Sequence, residues 1–158
     1  NFGIYGFMVL GYMNLIMLFT EGVAFTGPTV GAIFAAMTFA ATGQHPKNTW
    51  SIFGGYILLS IFVTLLYTSR NEPVPWSLST QGYINGVAFA TGLAPMAGKY
   101  GWKIGLISGI IGASICTSTA AVHGGFMLFN GGFSAGITAL ILVPILEHHF
   151  PHKGALYK

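Results

Sequence analysis

The chain has 158 residues, 53% hydrophobic and 6% charged, with a formal net charge of +3, whereas an ordinary soluble domain is about 25% charged. Six Lys and Arg residues and three acidic ones, all Glu, cannot cover a water-facing globule, which excludes a cytosolic enzyme. The few scattered cations form no basic patch of the kind nucleic acid requires.

In chain order, six apolar segments stand out, at 2–20, 24–41, 50–67, 78–97, 102–122 and 126–146, each near the roughly 20 residues needed to cross about 30 Å of hydrocarbon. Barrel strands are about ten residues long and alternate in polarity, but SIFGGYILLSIFVTLLY and ITALILVPILE are apolar on every face. The expected fold is therefore all-α: a polytopic integral membrane bundle of six transmembrane helices, some of them broken or half-length. Residues 1–147 form the transmembrane domain. Residues 148–158, where Pro151 stops the last helix, form a cytoplasmic interfacial tail with His148, His149 and His152. If all six segments cross, Lys47, Lys99, Lys103, Lys153 and Lys158 share the side of both termini, and Arg70 stands alone opposite. The positive-inside rule then makes both termini cytoplasmic. Trp50, Trp76 and Trp102 fall at segment starts, where indoles anchor at the headgroup level. The first residue is Asn and no signal-peptide pattern follows, so the chain reads as a fragment or a processed product.

Glycine supplies the packing code. There are 23 glycines, and Gly27/Gly31, Gly82/Gly86, Gly101/Gly105/Gly109 and Gly132/Gly136 recur four apart, the spacing that lets helix backbones approach closely in a bilayer. Three stretches also break helix rules: TGPTVG (26–31), GYINGVAFATGLAPMAG (82–98) and HGGFMLFNGGFSAG (123–136). Pro28 suits the first turn of a helix capped by Thr26 or Gly27, while Gly92 and Pro95 interrupt a span. Discontinuous helices of this kind build midplane sites in many transporters.

Within these stretches Thr29, Asn85 and Asn130 can hydrogen-bond a neutral solute, and Phe89, Phe129 and Phe133 can form apolar slots that restrict size. Gly31 and Gly86 complete the expected pathway. The competing role for the Asn residues, Asn14 included, is an interhelical hydrogen bond of about 0.6 kcal/mol. Glu21 and His123 are candidates for a proton or ion relay, against a hydrated helix end and a polar loop residue. Cys116, the single cysteine, has no partner within the chain and reads as a small buried hydrophobe. Pro151 spoils the helical spacing of the C-terminal histidines, so no metal site and no cofactor is expected. Without Asp, an acid pair or a nucleophile elbow, the chain is not expected to be an enzyme.

GPTVGAIFAAMTFAATGQHPKN, LAPMAGKYGW and HGGFMLFNGGFSAGITALILVPILE together resemble the C-terminal half of a domain-of-unknown-function family of bacterial integral membrane proteins. The resemblance implies a bacterial inner-membrane protein and brings no activity with it. Pro28 with Gly31, and YING at 83–86, more faintly resemble urea transporters, although that family's acidic residue and paired halves are not visible. The functional expectation is a transporter or channel module for a small solute. The alternative is a non-transporting, substrate-binding or structural subunit of a larger membrane complex. The expected partners are the lipid bilayer, the solute, and either further copies of the chain or other membrane subunits, with no nucleic acid.

Overall fold

Proline fixes two of the helix starts, because a first-turn residue has no intrahelical acceptor for the N–H that proline lacks. Pro28 and Pro46 occupy such positions in α1 (Gly27–Thr38) and α2 (Pro46–Ser69). Thr26 is the N-cap of α1, its Oγ1 accepting a hydrogen bond from Thr29 N at 3.3 Å. The computed structural model describes residues 3–4, 6–8, 10–11, 14, 26–75, 81–122 and 131–150, and among these all regular structure is helical. The other helices are α3 (Gln81–Ala90), α4 (Ala94–Tyr100), α5 (Trp102–Val122) and α6 (Gly131–His149). A 3-10 turn, Phe39–Thr42, follows α1, and a second, Thr91–Leu93, joins α3 to α4.

The helix break expected near Gly92 and Pro95 is present. Pro95 lies in the first turn of α4 and cannot donate to the carbonyl of residue 91, while the Thr91 hydroxyl donates to Ala88 O at 2.8 Å. Half-length elements result. α1, with 12 residues, rises about 18 Å, short of a hydrocarbon core about 30 Å thick. By contrast α2 and α6 are long and apolar enough to cross a membrane, with mean hydropathies of 1.8 and 1.4, and α5 has 21 residues.

Two boundaries differ from the sequence expectation. α2 begins at Pro46 rather than Trp50, because Asn48 folds back to accept from His45 N at 2.9 Å and closes the first turn. α6 runs from Gly131 through His149, so His148 and His149 belong to its last turn rather than to a tail.

Close approach at glycine sets the packing. The most extensive helix contact joins α2 to α5. A Cβ placed on Gly55 would lie 2.5 Å from Leu106 O and 2.7 Å from Ile110 N, and one on Gly109 would meet the Ile52 carbonyl oxygen. Ser51 meets Gly105 one turn earlier, so the two helices run parallel. The stacked rings of Trp50 and Trp102, 5.9 Å apart, mark their shared starting end. α3–α4 runs the other way, alongside α6: Gly131 touches Gly86 and Phe89, Gly92 faces Ala135, and Lys99 pairs with Glu147 at 3.3 Å. Lys47, Lys99 and Lys103 therefore gather at one end of the bundle, and Arg70 lies at the other.

The exterior is apolar. Phe34, Phe62, Leu65 and Leu140 are all more than 60% exposed, so the outward faces of α1, α2 and α6 are poorly matched to water and well matched to hydrocarbon.

Candidate functional site

Halfway along α2 the Tyr56 ring is completely buried, 5.3 Å from the Tyr83 ring of α3. The Tyr83 hydroxyl donates to Tyr56 O at 2.6 Å, which ties α3 to the middle of α2. The Tyr56 hydroxyl itself has no hydrogen-bond partner. It lies against Gly112 of α5, a close-packed position where an added Cβ would be 3.7 Å from Tyr56 Oη, 3.6 Å from Thr138 Oγ1 and 3.0 Å from Leu93 Cδ1. Leu93 belongs to the 3-10 break, and Thr138, which donates to Ser134 O at 2.7 Å, keeps its oxygen lone pairs for another donor. Cys116 and Ser134 lie beside the same hydroxyl. An unsatisfied hydroxyl in such a place costs about 1–3 kcal/mol, and a small polar guest would remove that cost.

Cys116 reports on this node. At 2% exposure, its thiol should resist a membrane-impermeant methanethiosulfonate in the folded protein and react fully in SDS. Rapid labelling of the folded protein would mean that water already fills the node.

The broken segment leads to a second feature at the cation-rich end, a cavity of about 420 Å³ lined in part by polar side chains. One wall is the turn entering α2, with Gln44, His45 and Asn48; the other is Pro95, Gly98 and Lys99 of α4. The turn is built around Gly43, whose φ of +92° suits only glycine and whose carbonyl accepts from Asn48 Nδ2 at 3.2 Å. Gly101, with φ +96°, plays the matching part opposite, ending α4 and starting α5. The Lys99 ammonium is held above the ordinary lysine range, first by its neighbour Tyr100 and then by Glu147.

The pathway residues expected from sequence are only partly assembled. Gly86 and Phe89 meet Gly131 at the α3–α6 crossing, and the Phe89 ring packs edge-on against Phe39 at 6.5 Å. Asn85 is half-buried on α3, and Thr29 is fully buried, its hydroxyl 2.8 Å from that of Thr26. Gly31 has open space around it among the described residues, and Phe133 is 44% exposed. Asn14 donates to Leu10 O at 2.9 Å. Glu21, His123, Phe129 and Asn130 lie outside the described residues. Among the described residues no group of His, Cys, Asp and Glu is clustered as a metal site.

Sequence reasoning missed Tyr56, Thr138 and Gly112, and it also missed the cavity. The first two carried a signal, since each is a polar side chain inside an apolar run. The cavity walls are some fifty positions apart in the chain, and nothing local joins them. Residues 1–148 match the model of a family described as Protein of unknown function (DUF1576). No curated protein and no solved structure matches the chain.

Proposed function

The chain belongs to the DUF1576 family of proteins of unknown function, and from that premise we propose that it is a polytopic inner-membrane module that conducts a small solute through its broken α3–α4 segment. The observation that carries this reading is the orphaned Tyr56 hydroxyl, which lies against Gly112 beside the 3-10 turn. Irregular backbone at membrane depth is tolerated where it lines a cavity, and the break runs from this polar node to the cavity formed in part by its own α4 half. The apolar outer faces support placement in lipid, with α1 and α6 offering surfaces for further copies of the chain. Gathering Lys47, Lys99 and Lys103 at one end, opposite Arg70, supports putting that end in the cytoplasm.

The test is flux. Protein reconstituted in liposomes should accelerate entry of at least one solute from a panel of formate, urea, glycerol and phosphate, read by stopped-flow light scattering. Asn85→Leu should abolish that flux while the melting temperature stays near wild type. Wild-type vesicles no leakier than protein-free ones to every solute would overturn the proposal in favour of a non-transporting subunit.

A further inference from the structure

We propose that the cavity between the α2 entry turn and α4 binds an oxyanion, a phosphate or carboxylate group, which takes Lys99 from Glu147. The cavity is the cytoplasmic mouth of the path proposed above, and to that extent the inference rests on that reading. Its 420 Å³ lies in the range of small-ligand sites. Lys99 is the one charged residue in its lining. The lysine's partner is easily replaced: the two side chains are 23% and 53% exposed, and an ion pair in contact with water is weak.

The rest of the wall offers a hydrogen-bond donor from a buried group. Asn48 is 8% exposed. Asn48 spends its oxygen on His45 N and one N–H on Gly43 O, which leaves the second N–H of its amide free. The 24-residue α2 begins in this wall, and the partial positive charge of its first turn favours a negative guest. A cation would meet both Lys99 and that helix end. A neutral solute would leave Lys99 on Glu147.

Two sources share this chemistry, a soluble anion and a lipid headgroup. The cavity lies at the end marked by the stacked Trp50 and Trp102, with Lys103 Nζ 5.8 Å from the Trp102 ring, the level at which headgroups sit.

The experiment is a titration of the purified protein with inorganic phosphate, read by thermal stability and by phosphorus NMR linewidth. It is repeated in nanodiscs of phosphatidylcholine with and without phosphatidylglycerol. Lys99→Gln should weaken binding about tenfold or more, the usual scale for a charge-assisted hydrogen bond, and Lys99→Arg should retain it. Glu147→Gln should bind several-fold tighter than wild type, a gain that a purely structural ion pair would not produce. Saturation by free phosphate in phosphatidylcholine discs identifies a soluble oxyanion. Lys99-dependent stabilisation by phosphatidylglycerol alone identifies a lipid headgroup, and either result upholds the site. Equal responses from wild type, Lys99→Gln and Glu147→Gln, or none from any, overturn it. Because flux is not read, failure of the transport proposal registers separately.

Discussion

Gly55→Leu should leave little folded protein, whereas Gly132→Leu should be tolerated. At Gly55 the obstructing atoms are the Leu106 and Gly109–Ile110 backbone of α5, which no rotamer change can move aside, so α2 and α5 must separate along their whole contact. Overpacking a core by a few methylenes costs about 1–3 kcal/mol, and a backbone obstruction belongs at or beyond the upper end of that range. Gly132 has open space around it, and an exposed helical site gains about 1 kcal/mol when glycine is replaced by a good helix former. Gel-filtration profiles and melting curves of the two variants in detergent compare these outcomes directly. A Gly55→Leu protein that elutes and melts like wild type would disprove the parallel α2–α5 crossing.

Joining α3 and α4 into one continuous helix should abolish solute flux without unfolding the protein. The double change Gly92→Ala with Pro95→Ala removes both causes of the 3-10 turn. There is room for it, since a Cβ on Gly92 would lie 3.7 Å from Ala135 Cβ, an ordinary contact, and Pro95 is exposed. Helix propensity then favours the straight form by several kcal/mol over the two positions. Straightening would move Leu93 relative to Gly112 and Tyr56 and rebuild the polar node on which the proposed path depends. Circular dichroism should show helicity equal to or above wild type while liposome flux falls to the protein-free level. Unchanged flux in a more helical variant would remove the break from the mechanism.

The sequence announced its helix ends better than its contacts. Pro28 with Thr26, and Gly92 with Pro95, are local rules of backbone geometry, and the structure follows them. Glycine spacing was less informative, because a four-residue period puts small residues on one stripe without saying what that stripe faces. Gly105 and Gly109 press against α2, whereas Gly27, Gly31, Gly132 and Gly136, equally spaced, meet nothing within 4 Å among the described residues. Gly55 and Gly131, which press against the backbones of α5 and α3, were not singled out by the spacing argument. The polar node and the cavity were illegible for a related reason. Each is made by residues from distant parts of the chain, the node from α2, α5, α6 and the 3-10 turn and the cavity from the α2 entry turn and α4.

The parallel pairing of α2 with α5 has a consequence for biogenesis. The two helices that share the largest contact are separated in the chain by the whole of α3 and α4. During synthesis α2 therefore emerges with its Gly55 notch uncovered, and the α5 backbone that covers it is made later. The bundle cannot assemble progressively from its N-terminal end. It must wait for a late helix to dock against an early one, and a nascent chain arrested before Trp102 would expose to quality-control proteases a groove that the finished protein hides.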